Sequence, residues 1–177
     1  MRLVVFLRGI NVGGHVAKKS ELQKVFASLG VRDVSTFRQS GNIILESASE
    51  NTQDIEEKAE AKLKQTLGYE VAVFARSIFQ LKQIIALKPF KDCPEEEADF
   101  QVTFLPSRVE PIPFKLPLRI PNSTADVISA RGAEVFSVTR GHGDGGKPNP
   151  FLESRLKVRA TTRNWNVVQE IVERFSE

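Results

Sequence analysis

A chain of 177 residues that is 41% hydrophobic and 27% charged has the balance of an ordinary globular protein, long enough to bury about 70% of its unfolded surface. A formal charge of +3 and a pI near 9.1 permit a nucleic-acid or other anionic partner without the clustered charge that would demand one. The single cysteine, Cys93, excludes an intrachain disulfide and a thiolate metal cluster, and no segment reaches the roughly 20 apolar residues of a membrane span.

The first apolar run, residues 3–7, is too short for a signal peptide and is closed by Arg8. A soluble, cytoplasmic protein with a reduced thiol is therefore expected. "RLVVFLR" (2–8) is continuously apolar between charges, as suits a central strand. "SELQKVFASLG" (20–30) has Leu22, Val25, Phe26 and Leu29 at helical spacing, with Ser20 to cap the start and Gly30 to end it. "DVSTFRQSGNIILES" (33–47) reads as a hairpin folded at Ser40-Gly41-Asn42. "TQDIEEKAEAKLKQTLG" (52–68) is acidic early and basic late, as the helix dipole prefers, and Gly68 stops it. "EVAVFAR" (70–76) is a fourth strand, and "SIFQLKQIIAL" (77–87) a helix with Ser77 and Gln80 at capping-box spacing.

The order β-α-β-β-α-β is the ferredoxin-like motif. The second half repeats it: a strand at "DFQVTFLP" (99–106), a hairpin at "ADVISARGAEVFSV" (125–138) turning near Gly132, and a helix at "NPFLESRLK" (149–157) with Asn149 as cap and Pro150 at its first position. A strand "VRATTR" (158–163) and a closing helix "NWNVVQEIVERF" (164–175) complete it. The pair "ARSIFQLKQII" (75–85) and "TRNWNVVQEIV" (162–172) shares an Arg, a capping residue and the phase of its apolar positions. The expected fold class is thus α/β of the α+β type, a tandem of two ferredoxin-like βαββαβ lobes, each followed by an extra helix. The lobes span 1–87 and 99–177, joined by a polar, acidic linker at 88–98. The first helix of the second lobe is missing. In its place "LPSRVEPIPFKLPLRIPNS" (105–123) carries five prolines that forbid a long helix, and a loop or single turn packed on the sheet is expected.

"RGINVGG" after the first strand, "RQSGNIILES" at the hairpin and "TTRNWN" before the last helix together resemble a widespread bacterial family catalogued as domain of unknown function 1697. The resemblance runs from the first strand to the last helix and implies a two-lobed α/β fold of ferredoxin-like halves. It implies no activity, cofactor or catalytic residue.

In a β-α-β-β-α-β sheet the first two strands run parallel and end at one edge. That should gather Arg8, Gly9, Asn11, Gly13 and Gly14 of the first loop with Arg38, Gln39, Ser40 and Asn42 of the hairpin, with Lys18 and Lys19 nearby. Glycine-rich backbone can form an anion-binding nest, and arginine suits phosphate or carboxylate through its planar fork. A purely local role fits the same residues: turn glycines, with Asn11 and Asn42 bonded to nearby backbone. Arg163 and Asn166 are secondary candidates, because Asn164 takes the cap position of Ser77 and Trp165 heads an apolar stripe with Val168, Val172 and Phe175. Arg76 and Arg163, at equivalent positions, could each pair with a carboxylate.

Other motifs carry less. "GHGDGGKP" (141–148) nearly matches a nucleotide P-loop, but Pro148 stands where the Mg²⁺-binding Ser or Thr belongs, so a surface loop or a flap is expected. His15 and His142 lack a second ligand at metal spacing, and the acidic run at 95–97 reads as solvated. No metal, cofactor or catalytic set is expected from these spacings. The leading functional reading is a binding module for a phosphate-bearing partner, either nucleic acid, RNA above all, or a small phosphorylated ligand. The alternative is a small-molecule enzyme with Arg8, Arg38 and Asn11 in a site between the lobes, and a third reading is an interaction protein without a ligand.

Overall fold

The computed structural model describes residues 1–38, 41–93, 98–106, 112–141 and 148–176. Among them lie two antiparallel sheets and five helices, a mixed α+β fold. The chain divides into two compact units: Met1–Lys82 together with the chain end from Phe175, and Gln83–Arg174.

The first unit contains β1 (Arg2–Arg8), α1 (Lys19–Ala27), β2 (Arg32–Thr36), β3 (Asn42–Glu46), α2 (Thr52–Leu67) and β4 (Ala72–Ser77), with sheet order β2-β3-β1-β4. β1 is flanked on both edges, pairing Leu3 with Leu45 of β3 and with Ser77 of β4. Leu3, Val5 and Leu7 join Leu22, Phe26, Ile55 and Leu63 of the two helices in one core, while Val4, Phe6 and Phe74 are buried on the opposite face. Burial on both faces is why β1 reads as a continuous apolar run rather than an alternation.

Local signals set the helix ends. α1 starts at Lys19, ahead of the expected cap Ser20, because Glu21 reaches back and its Oε2 accepts the Lys18 N–H at 3.0 Å. Asn51 Oδ1 accepts the Gln53 N–H at 3.0 Å to open α2, and Gly68 closes it at φ +80°. Ser77 and Gln80 exchange bonds at 2.8 and 3.1 Å at the start of α3 (Ile78–Ala86).

β4 is an edge strand, and α2 closes that edge. Glu60 Oε1 accepts the Val73 N–H at 3.0 Å, and Glu56 Oε1, one helical turn earlier, accepts the Ala75 N–H at 2.7 Å. The same Glu56 oxygen lies 3.8 Å from Arg76 Nη1, both side chains being largely buried.

The second unit holds β5 (Ala98–Phe104), β6 (Leu118–Arg119), β7 (Ala125–Arg131), β8 (Glu134–Arg140), α4 (Pro148–Leu156), β9 (Thr161–Asn164) and α5 (Trp165–Phe175), with sheet order β6-β7-β8-β5-β9. Where described, the proline-rich segment is largely a loop packed on the second sheet, with a two-residue strand within it. Over 112–120 burial alternates: Ile112, Phe114, Leu116 and Leu118 are half-buried and Ile120 buried, whereas Pro113, Lys115, Pro117 and Arg119 are exposed. Phe114, Leu116 and Ile120 pack with Leu105, Val127 and Leu152, and Leu118–Arg119 pairs with β7 as the edge strand. Prolines, which cannot donate to a ladder, sit on the outward positions of that edge.

Two further expectations change. Pro148, not Pro150, opens α4, so Asn149 is a helical residue rather than its cap, and its Oδ1 accepts the Thr162 hydroxyl at 2.5 Å. The segment taken as a linker at 88–98 carries Phe90, 8% exposed, which stacks on Phe100 at 4.6 Å and meets Trp165 edge-on at 5.3 Å. Aromatic burial makes that stretch part of the second unit, whose boundary falls within α3. The α5 stripe consists of Trp165, Val168 and Ile171, with Val172 half-buried. The acidic run at 95–97 and the glycine-rich stretch at 142–147, His142 included, lie outside the described residues. No described helix is long and apolar enough to cross a membrane.

Replacing Glu56 by Ala should lower unfolding stability by about 2–4 kcal/mol in urea titrations, since Arg76 loses its buried carboxylate and Ala75 an acceptor. Desolvation raises the Glu56 carboxyl above its ordinary 4.5, so the folded state holds the proton longer than the unfolded chain. Stability contributed by the protonated form is therefore lost as pH rises from 4.5 through the folded value. Wild type should lose stability over that window relative to Glu56→Gln, measured by urea titration at successive pH values.

Candidate functional site

β1 and β2 both run antiparallel to β3, so the chain leaving β1 and the turn leaving β2 emerge at one end of the sheet. Phe6 faces Asn42 across the ladder, and the Leu7 N–H donates to Gly41 O at 2.9 Å. Arg8, the last residue of β1, thus lies beside the hairpin turn. Gln39 and Ser40 lie outside the described residues.

The loop after β1 is built from positive-φ positions. Gly9 at +91° turns the chain as it leaves the sheet, and Asn11 follows at +54°. At the tip the His15 N–H donates to Val12 O at 3.0 Å across Gly13 and Gly14, at φ +57° and +86°. Two consecutive positive φ values are the requirement of a type I′ turn, which glycine meets without strain. Asn11 Oδ1 accepts the Ala17 N–H at 3.0 Å and ties the two stems of the loop together. Ile10 and Ala17 are buried, whereas Val12 and Val16 stand 58% and 71% exposed.

The hairpin is held in the same local way. The Phe37 N–H donates to Asn42 O at 2.9 Å, and Asn42, only 4% exposed, donates from Nδ2 to Phe37 O at 3.3 Å. Asn11 and Asn42 therefore make local backbone bonds that shape the two loops. Arg38 is exposed at φ +54°, its guanidinium 6.0 Å from the Phe37 ring. Lys19 Nζ donates to Arg38 O at 3.1 Å, which brings the start of α1 to the hairpin. Lys18 is exposed beside it, and Arg8 is half-buried.

One end of the first sheet thus gathers Arg8, Lys18, Lys19 and Arg38 around a loop of positive-φ residues. Such a set donates hydrogen bonds and positive charge, which suits an anion. The geometry adds two residues that sequence reading did not place there. The His15 ring lies 4.1 Å from that of Tyr69, and the Tyr69 hydroxyl is buried with no hydrogen-bond partner among the described residues, its pKa raised by burial and then by Glu21. The one visible signal was position, since the chain's only tyrosine directly follows the helix-ending Gly68.

The secondary candidates belong to the second unit. Arg163 of β9 donates from Nη1 to Thr161 Oγ1 and Thr162 O, each at 2.8 Å, and burial pulls its guanidinium down to about 10. Arg76 meets a carboxylate as expected, and Asn166 is exposed on the first turn of α5. Among the described residues no group of three His, Cys, Asp or Glu side chains could hold a metal ion.

No curated protein matches the chain. A solved structure of a conserved bacterial protein from Streptococcus pneumoniae is similar over 99% of this chain and 98% of that one, with a TM-score of 0.68 at 18% identity. At that identity the likeness concerns the fold. A family model described as a protein of unknown function, DUF1697, matches residues 1–136, which takes in the β1 loop and the hairpin and stops before "TTRNWN". The chain belongs to the DUF1697 family of proteins of unknown function.

Proposed function

We propose that the protein is a binding module for a phosphate-bearing ligand, held at the end of the first sheet by the "RGINVGG" loop and the hairpin. The observation that carries this reading is the convergence of cations from three separate elements: Arg8 from β1, Lys18 and Lys19 from the start of α1, and Arg38 after β2, with Lys19 bonded to Arg38 O. Gly9, Asn11, Gly13, Gly14 and Asn42 shape the loops, and the exposed cations contact the ligand. RNA is the favoured ligand, because an open, basic sheet end tracks a phosphate backbone more readily than it encloses a metabolite. A cytoplasmic location goes with that ligand and with the free Cys93.

The same proposal reads the chain as two ferredoxin-like lobes in tandem. Support comes from register. β7-β8-β5-β9 has the same strand sequence as β2-β3-β1-β4, and Arg163 faces Val102 as Arg76 faces Val4. The edge closure recurs as well. Glu153 of α4 accepts the Ala160 N–H at 2.9 Å as Glu60 accepts that of Val73, and Asn149, four residues earlier, accepts the Thr162 hydroxyl at the position where Glu56 accepts the Ala75 amide.

Fluorescence anisotropy with labelled single-stranded RNA tests the ligand. Binding should weaken steeply with salt, and Arg8→Ala/Arg38→Ala should weaken it at least tenfold, as phosphate contacts release counterions. Unchanged affinity in the double variant would refute the site. Asn11→Gly keeps the positive φ but removes the Oδ1 bond, so it should cost about 1 kcal/mol in urea and speed hydrogen exchange at the Ala17 amide.

A further inference from the structure

The face of the second sheet that lies under α4 is polar where the matching face of the first sheet is apolar. Leu105 just past β5, Val135 of β8 and Ala160 just before β9 pack with Leu152 of α4. Strand alternation therefore turns Gln101 and Thr103, Ser137 and Thr139, and Thr162 to that same side. The register that sets Arg163 opposite Val102, as Arg76 is opposite Val4, matches Gln101, Thr103, Ser137 and Thr162 to Leu3, Val5, Leu45 and Ala75. Those four belong to the buried apolar core of the first unit. Thr103 and Ser137 are nevertheless 0% exposed, and Thr139 is 3% exposed. Burying hydroxyls where the first sheet uses aliphatic side chains has a desolvation cost that packing alone does not explain.

These hydroxyls hold two carboxamides in fixed orientations. Thr139 Oγ1 donates to Gln101 Oε1 at 3.2 Å. Thr162 Oγ1 donates to Asn149 Oδ1 at 2.5 Å and lies 2.7 Å from Thr103 Oγ1, so Thr103 is the donor of that second pair. With each amide oxygen occupied, the NH2 groups of Gln101 and Asn149 remain to donate to a ligand. Gln101, Asn149 and Thr162 are half-buried, and Asn164, opposite Gln101 across the ladder, is exposed, so these four form the accessible rim of the patch. Ser137 Oγ, directly across from Gln101 on the other side, is buried with no hydrogen-bond partner among the described residues. The polar set is incomplete by at least that bond.

We infer that this patch is a binding site for a small, neutral, polyhydroxylated ligand of monosaccharide size. Hydroxyls both donate and accept, as the rim and Ser137 require. The patch spans three adjacent strands, roughly 10 Å, which suits a single ring with its hydroxyls rather than a polymer. The charged described residues facing this side are Asp99, at the margin opposite Thr139, and Glu153 on α4. Both are carboxylates, which accept from hydroxyls and repel phosphate. Pro148 and Pro150 also remove two N–H donors from the start of α4, where an anion would otherwise be drawn. The patch residues include no ring on which a nucleobase could stack. The site lies in the second unit and uses none of the residues of the proposed RNA site, so either reading can fail without the other.

Isotope labelling of the threonine γ-methyl groups places NMR probes at Thr103, Thr139 and Thr162. Titration with D-ribose, D-glucose and myo-inositol should shift these signals saturably with at least one of the three, and D-ribose 5-phosphate should bind no tighter than ribose. Gln101→Leu, which installs the residue found at Leu3, should weaken that binding at least tenfold. Thr139→Val keeps the side-chain shape but releases the Gln101 carboxamide, and should weaken binding by a smaller factor, about threefold. Ser137→Ala removes a hydroxyl that bonds to no described residue, so its thermal midpoint should equal or exceed that of wild type. Arg8→Ala should bind the sugar within twofold of wild type, whatever it does to RNA. Shifts that do not saturate with any of the three by about 50 mM, tighter binding of the phosphate ester, or unchanged affinity in Gln101→Leu would overturn the proposal. A lower midpoint in Ser137→Ala would overturn it too, because the hydroxyl would then be serving the fold.

Discussion

Five consecutive apolar side chains, residues 3–7, are each at most 3% exposed, and the first unit depends on that one strand. A strand can be buried so completely only when it is hydrogen-bonded on both edges and covered on both faces. β1 meets this with β3 and β4 beside it and the α1–α2 core against one face. Its C-terminal end must then emerge between its neighbours at the end of the sheet, where the hairpin from β2 to β3 turns. The juxtaposition of Arg8 with the hairpin follows from that pairing rather than from any affinity between the loops.

Because β1 is central, the burden of finishing the sheet falls on its outer strands. α2 meets it on one side with two carboxylates a helical turn apart, each accepting an amide of β4. Burying Glu56 for this purpose carries a desolvation cost, visible in its raised pKa, and Arg76 partly offsets it. On the other side β2 is interrupted by a bulge between Arg32 and Ser35, a feature that discourages pairing with another chain. The two outer strands of the first unit are therefore guarded by different means.

The loops at the end of the sheet are shaped by a few of their own residues. Gly9, Gly13 and Gly14 provide the backbone angles, and Asn11 and Asn42 anchor the loops to their own stems. What remains directed outward is charge, supplied by long side chains from three elements. The backbone of the loop is thus held by its own glycines and asparagines.

Much of this was legible in the chain. The continuous run at 2–8 declared a central strand, the 3.6-residue spacing declared α1, the charge order and Gly68 declared α2, and Ser77 with Gln80 marked the start of α3, because these depend on neighbours close in sequence. The grouping of Arg8 with Arg38 was also legible, since strand direction follows from element order alone. The short β6 within the proline-rich loop was not legible because prolines mask a period-two signal: Ile112, Phe114, Leu116, Leu118 and Ile120 alternate with exposed residues. Phe90 looked like linker because its polar neighbours hid a single buried ring. Only the tertiary structure decided which amides lie on an outer edge, that Glu56 and Glu60 close one such edge, and that the half-buried Tyr69 ring sits against His15. Those contacts join residues brought together by sheet order and helix placement, and a linear pattern of residue types does not encode which side of a strand its unpaired groups will face.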